Sequence, residues 1–331
     1  MKIEIAKKSE LGKELNFEIE KKIVDGEKKK IIEDLKKEAV IEGFRKGKAP
    51  DELVEKKYAS AIQEQLLRKL ITDAYVKAIK ENNLNPIVQP DVYDVKFDDN
   101  GNLLFKIYIE EKPEVQMKKY KEIPVKKVKV EPVSDKMVED VLKEWEKRPD
   151  MKAALIDLEK RKAWKEKIRQ QLQDYAKAKA EAEEEKQLWD GVMKDTNFPV
   201  PEKLVNERAM KYTEEQLKRM NLKDKPKEEV EKIAREIFEK VKPIAEEDVK
   251  KYFILDKIGE LENIKVSEEE VKERIEHISR VVGQPYEKVR TQLEKEGKIE
   301  DIKEEIRINK AYRVLKDNAN FIERVVLPGE K

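Results

Sequence analysis

The stretch Gly43-Phe44-Arg45-Lys46-Gly47-Lys48-Ala49-Pro50 lies between two segments of helical periodicity and interrupts both of them. Gly43 and Gly47 allow positive φ, so the backbone can turn sharply at two points. Pro50 disfavours helical geometry at the residue before it and suits the first turn of a new helix. We therefore predict a tight, exposed loop with Phe44 near its tip.

An exposed aromatic side chain surrounded by cations suits docking onto an acidic or phosphate-rich surface. The alternative is an ordinary basic connection between two helices, in which Phe44 folds back into the core. Glycine and lysine are common in connecting loops, so the residue types alone leave both interpretations open.

The same string resembles the ribosome-docking signature of trigger factor, a family of bacterial chaperones at the polypeptide exit tunnel, whose pattern is G-F-R-x-G-K-x-P. The resemblance implies that Phe44, Arg45 and Lys46 dock at the tunnel exit of the large ribosomal subunit. Ribosomal protein is the expected partner there, with rRNA phosphate as a second candidate. The ribosome-binding residues that the motif implies are Gly43, Phe44, Arg45, Lys46, Gly47, Lys48 and Pro50.

Length and composition indicate a polar chain of two or three domains. The 331 residues are 44% charged and 38% hydrophobic, a ratio that suits helical domains with thin cores and much solvated surface. The 74 cations and 73 anions leave a net charge of +1, so no basic field covers the whole protein. Any binding to anions must therefore be local.

Several classes of site are excluded by residue counts. The chain has no cysteine and a single histidine, His277, which rules out disulfides, thiolate metal sites and metal sites that need two histidines. We expect no metal and no cofactor. The sequence lacks an apolar run of the roughly 18 residues that a membrane span needs, and residues 1–5 do not resemble a signal peptide. We expect a soluble cytoplasmic protein.

Residues 1–112 are predicted to form an α+β domain, which the resemblance identifies as the ribosome-binding domain. Strands are expected within 2–24 and at 92–97 and 103–109, the last two joined by the hairpin turn at Asn100-Gly101. Helices are expected over 27–40, after a turn at Asp25-Gly26, and over 51–82.

The remainder is predicted to be an elongated all-α domain with helical arms, following a connector. Residues 113–150 form an extended connector with strand-like alternation at 125–130 and a short helix after Ser134. Residues 151–323 form the helical chaperone domain, and 324–331 form a frayed tail. The expected helices cover 151–196, a segment starting at Pro201, 227–261 with a kink or split at Pro243, a segment capped by Ser267 and Glu270, and 299–323.

The chain departs from the usual family pattern in its centre. Most trigger factors carry a peptidyl-prolyl isomerase domain of FKBP type there, which needs a segment rich in glycine and aromatic residues. Here no glycine occurs between Gly101 and Gly191. We therefore predict that the isomerase domain is missing and that the chain is not an enzyme. A naturally short member and an engineered deletion both remain open.

The resemblance implies an ATP-independent chaperone that holds nascent or unfolded chains on shallow apolar surfaces and that self-associates weakly as a homodimer. The alternatives are a SurA-like holdase that does not bind ribosomes and an RNA-binding module that uses the basic loop. Candidate client-binding residues in the helical half could equally be core. They are Met210, Tyr212, Met220, Tyr252 and Phe253.

Overall fold

The computed structural model describes residues 1–38, 40–148, 158–220, 222 and 225–323. Within it the chain divides into two compact units. The first combines Met1–Glu114 with Phe198–Lys250, and the second combines Val115–Asn197 with the residues from Lys251 onward. The predicted frayed tail, and the predicted start of the long central helix at 151, lie outside the described residues.

The first unit is built on an antiparallel sheet of strand order β1-β2-β4-β3. Alternate side chains of the two central strands are buried on one face, as period-2 patterning requires. In register with each other, Phe17 and Phe105 stack with their ring centroids 4.7 Å apart. The strands are β1 Lys2–Lys7, β2 Gly12–Ile19, β3 Asp91–Phe97 and β4 Leu103–Glu110.

Three helices pack on the buried face of this sheet and complete the hydrophobic core of the unit. They are α1 Lys21–Glu38, α2 Asp51–Lys57 and α3 Ala59–Glu81. The predicted turn at Asp25-Gly26 is wrong, because both residues lie inside α1. Burial of Val24 and Ile31 on either side stabilises the helix by more than the cost of about 1 kcal/mol for an interior glycine.

The single helix predicted over 51–82 is interrupted at Tyr58, which separates α2 from α3. At that point Lys57 Nζ and the Tyr58 hydroxyl both donate to the carbonyl of Val40, at 2.7 and 3.4 Å. The break therefore coincides with the place where the helix is bonded to the start of the preceding loop.

Two long helices lie further along the chain, α6 Glu202–Arg219 and α7 Lys227–Leu261. Two other helices, α4 Asp135–Glu146 and α5 Leu158–Met193, precede them and belong to the second unit. Helix α6 begins directly after Pro201, as predicted. Helix α7 runs through Pro243, so the predicted split at that proline does not occur. A proline inside a helix removes one backbone hydrogen bond, and this cost is balanced here by buried side chains on both sides of it, Val241 and Ala245.

The second unit contains a short parallel pair, β5 Pro124–Lys126 with β6 Asn320–Ile322. The predicted strand at 125–130 is therefore shorter than expected. Helices α4 Asp135–Glu146 and α5 Leu158–Met193 pack on each other around Val138, Leu142 and Ile168.

Helices α8 Glu268–Val282, α9 Tyr286–Lys295 and α10 Ile299–Asp317 form a separate apolar cluster in this unit. The predicted capping box is confirmed, with Ser267 and Glu270 exchanging both hydrogen bonds. The last helix was predicted to continue to 323, but it ends at Asp317 and Phe321 lies in β6. The fold class is confirmed: a small domain of sheet and helices precedes a largely helical region.

Candidate functional site

The base of the loop 43–50 is closed by one contact from the loop to α1 and one between the two flanking helices. The amide of Gly47 donates to the carbonyl of Lys36 near the end of α1, at 3.0 Å. Lys36 Nζ also lies 2.7 Å from Asp51 Oδ1 at the start of α2. Pro50 stands at the N-cap of α2, with φ −59° and ψ 143°. The predicted turn is therefore present, with Pro50 at the start of the new helix.

Both glycines adopt the conformation that motivated the prediction. Gly43 has φ 82° and Gly47 has φ 80°, in the left-handed region that other residues enter only with strain. Between them, Phe44 remains 44% exposed and takes no part in the core of the unit. Ala49, by contrast, is buried. The loop is thus anchored at its end while its aromatic residue faces solvent.

The cations of the tip differ from those at the base. Arg45, Lys46 and Lys48 are exposed, and among the described residues none of them has a carboxylate within ion-pair distance. Nearby cations such as Lys36 and Lys28 are paired with acids. The tip therefore carries positive charge that no described neighbour neutralises, next to an exposed aromatic ring.

Three of the five candidate client residues lie on α6 or at its end. Met210 and Met220 are 52% and 45% exposed. Tyr212 is half-buried, and its hydroxyl donates to Asp248 of α7. Burial, followed by the neighbouring Asp248 carboxylate, raises the pKa of Tyr212. The two methionines are therefore available to a ligand, whereas Tyr212 is largely committed to its helix partner.

The other two candidates lie on α7 in the second unit and are not equally accessible. Phe253 is fully buried, so its assignment as a client-binding residue is wrong for this conformation. It lies in the inward stripe of the helix together with Val249 and Ile254. Tyr252 is half-buried, and its hydroxyl donates to Glu304 Oε1 at 3.0 Å. Burial is also the main cause that raises the pKa of Tyr252.

Several large apolar side chains in the helical region are exposed but were not selected from the sequence. At the end of α8, Val282 is 52% exposed beside Val281. Both valines precede Gly283, the left-handed residue at which the helix ends. Other exposed apolar residues in the described part of this region include Leu158, Tyr175, Ile244 and Leu261.

Within the described part of the chain, no group of three or more histidine, cysteine or acidic side chains is arranged to hold a metal ion. His277 lies on the exposed face of α8, with Nδ1 3.4 Å from Arg274. None of the helices in the described residues is long and apolar enough to cross a bilayer.

Comparison with known families accounts for both halves of the chain. Residues 1–145 match the family model described as bacterial trigger factor protein, and residues 162–317 match the model of the bacterial trigger factor C-terminus. The chain belongs to the trigger factor family. The docking-loop motif lies within the first matched stretch.

Two individual trigger factors match this chain over short stretches. The trigger factor of Citrifermentans bemidjiense is 33% identical over 120 residues, which cover 36% of this chain and 28% of that protein. The trigger factor of Solibacter usitatus is 37% identical over 100 residues, which cover 30% of this chain and 24% of that protein. The matched stretches thus span less than a third of the length of these relatives.

One solved structure extends the likeness to nearly the whole chain. It is described as "Promiscuous Substrate Recognition in Folding and Assembly Activities of the Trigger Factor Chaperone". The match has a TM-score of 0.54 at 15% identity and covers 96% of this chain and 99% of that chain. At this identity the likeness concerns the fold.

Proposed function

We propose that this protein is an ATP-independent chaperone that docks on the large ribosomal subunit at the polypeptide exit and holds nascent or unfolded chains. The observation that carries the proposal is the tip of the loop: Phe44 is exposed between two glycines of positive φ, beside three exposed cations that pair with no carboxylate of the described residues. Membership of the trigger factor family supports the same function.

The loop can dock because its two kinds of group act together. The cations attract acidic ribosomal protein or rRNA phosphate over roughly the Debye length, about 8 Å at physiological ionic strength. Phe44 then buries apolar surface in a small pocket. The contact involves few residues, so it is weak, reversible and sensitive to salt.

Client holding relies on scattered apolar residues rather than on one deep pocket. Met210 on α6 and Met220 just after it, in the first unit, are exposed, as are Val281 and Val282 on α8 in the second. Most other residues of these two helices are charged. Each such contact contributes about 1–2 kcal/mol at most. Clients can therefore leave without nucleotide hydrolysis, and the charged surroundings keep the chaperone from aggregating.

We further propose that the chain has no isomerase activity. Only residues 146–161 lie between the two matched family stretches, whereas a globular domain needs at least about 40 residues. Helices α4 and α5 also pack directly on each other there. Trp145 and Trp164 meet edge to face at 5.4 Å, and Arg161 reaches Glu146 at 2.8 Å. These contacts support direct packing of α4 on α5 rather than an inserted domain between them.

The partners that follow are the large ribosomal subunit and unfolded polypeptides, in the cytoplasm. Weak homodimerisation away from the ribosome is part of the same proposal. Sedimentation velocity over a range of concentrations measures this last point directly.

Ribosome co-sedimentation tests docking. We expect the triple variant Phe44→Ala, Arg45→Ala, Lys46→Ala to lose binding. A matched control is the triple variant Lys22→Ala, Ile23→Ala, Lys29→Ala on α1, which removes two exposed cations and an apolar residue that is 45% exposed. Equal losses in both variants, or no loss in the first, would show that the loop does not dock.

Aggregation of a chemically denatured client tests holding. We expect the chain to suppress aggregation without ATP and the loop variant to do so as well, because docking and holding use different surfaces. Failure to suppress aggregation would remove the chaperone assignment.

A proline-isomerisation assay should give only the uncatalysed rate, and clear turnover would refute the proposal that the isomerase domain is missing.

A further inference from the structure

Helix α6 begins without a cap of its own. Its N-cap residue is Pro201, which offers no side-chain acceptor for the free amides of the first turn. The amide of Lys203 instead donates to Glu110 Oε2 at 2.9 Å. Glu110 is the last residue of β4, so the sheet supplies the cap that the local sequence lacks.

Glu110 is unusually buried for a carboxylate. It is 3% exposed, and its second oxygen, Oε1, accepts from the Tyr108 hydroxyl at 3.1 Å. Both oxygens therefore have protein donors, as a desolvated charge requires. The positive end of the helix dipole also favours a carboxylate at this position.

Further contacts tie the same helical turn to the sheet. Lys203 Nζ lies 2.6 Å from Asp91 Oδ1 and donates to the carbonyl of Gln89 at 2.7 Å. Gly12 on β2 keeps room for this arrangement, because a Cβ there would lie 2.3 Å from the Tyr108 hydroxyl oxygen. Groups from the end of β4, from β3 and from the segment before β3 thus converge on the start of α6.

We propose that Glu110 is a positioning residue: it caps α6 from the end of β4 and thereby fixes that helix on the sheet of the domain that carries the docking loop. Met210 follows Lys203 by two helical turns, about 10 Å along the axis, and is exposed. The anchor therefore holds this part of the client surface in a defined orientation to the docking loop. That consequence rests on the proposed function, whereas the anchor itself does not.

The absence of cysteine from the sequence allows a clean distance measurement. Spin labels on cysteines introduced at the exposed positions Glu64 on α3 and Lys211 on α6 are the only labels in the full-length protein. We expect one narrow distance distribution in the parent. Glu110→Leu supplies an apolar side chain of similar size and removes both the acceptor and the buried charge, and it should broaden the distribution.

Two further variants separate positioning from general stability. Glu110→Gln retains an acceptor for the Lys203 amide and should keep the narrow distribution. Glu207→Leu is the matched control, because Glu207 is an exposed acid of α6 in the same groove beside the anchor, and it should behave as the parent. The distances require neither ribosome nor client, so their outcome is independent of the proposed function.

Hydrogen exchange supplies a second readout. In Glu110→Leu we expect the amide of Lys203 to exchange about 10- to 100-fold faster, the range for loss of a hydrogen bond to a charged group, while the amides of β2 and β4 keep the parent rates. A parent-like distance distribution and parent-like exchange in Glu110→Leu would overturn the proposal. Uniformly faster exchange throughout the sheet would also overturn it, since Glu110 would then act on stability alone.

Discussion

Replacing Phe44 by Ala should weaken ribosome binding by an amount that depends on the exposed area of the Phe44 side chain. Phe44 is 44% exposed in the free protein. An aromatic side chain buries about 150–250 Å² when fully covered, so about 65–110 Å² remains available to a partner. At about 25 cal/mol per Å², covering that area contributes about 1.6–2.8 kcal/mol. The expected loss of affinity is therefore about 15- to 100-fold.

Titration of fluorescently labelled protein with vacant ribosomes measures this loss by anisotropy. Ile23→Ala is the matched control, because Ile23 is 45% exposed but lies on α1 away from the loop motif, and its affinity should equal that of the parent. Circular dichroism should give the parent spectrum for both variants. A loss of less than about threefold for Phe44→Ala would mean that the ring stays uncovered in the complex, and the reasoning would be refuted.

Four further outcomes follow from the same structure. If the loop cations meet rRNA phosphate, removing each should flatten the slope of log affinity against log salt by about 0.7–0.9, and an unchanged slope would exclude that contact. Gly259→Ala should destabilise the protein by up to about 2 kcal/mol in urea unfolding, because the added Cβ would lie 2.6 Å from Arg307 Nη1 and displace a guanidinium that Asp256 and Glu304 hold, while alanine regains about 1 kcal/mol of helix propensity; a gain of stability would contradict this packing. Gly26→Ala, with open space at its Cβ inside α1, should instead stabilise by up to about 1 kcal/mol, and a loss of stability would contradict that helix. The bond from Lys310, followed by the Ser267 backbone amide, lowers the pKa of Glu270 from 4.5 to about 2. The stability that Glu270 contributes is therefore present above about pH 4.5 and lost as the pH falls toward 2, so Glu270→Gln should flatten the acid side of the stability curve, and an identical acid limb would argue against the pair.

The features that the sequence predicted correctly are local ones. The left-handed glycines of the loop, the capping box at Ser267 and the hairpin at Asn100-Gly101 each depend on residues a few positions apart. Their chemistry fixes the backbone whatever the remainder of the chain does. The exposure of Phe44 could be predicted because α1 has to end before this loop and α2 has to begin after it.

The features that were missed depend on residues far apart in the chain. The pairing of β5 with β6 joins Val125 to Phe321, and no local signal ended the last helix early enough to reveal it. The cap on α6 joins Glu110 to Lys203, which are 93 positions apart. Helical periodicity also identified the stripe that contains Phe253 without telling whether that stripe faces the core or a client. Such pairings are set by tertiary packing, which overrides local preference.

The central claim is that the aromatic tip of the loop contacts the ribosome beside the polypeptide exit. Its most direct test is a photo-crosslinking phenylalanine analogue at position 44, with the same analogue at position 23 as the control. We predict that the analogue at position 44 crosslinks to a component of the large subunit at the tunnel exit, and that the analogue at position 23 does not. Crosslinks from position 44 only within its own chain, or equal ribosomal crosslinks from both positions, would contradict the account.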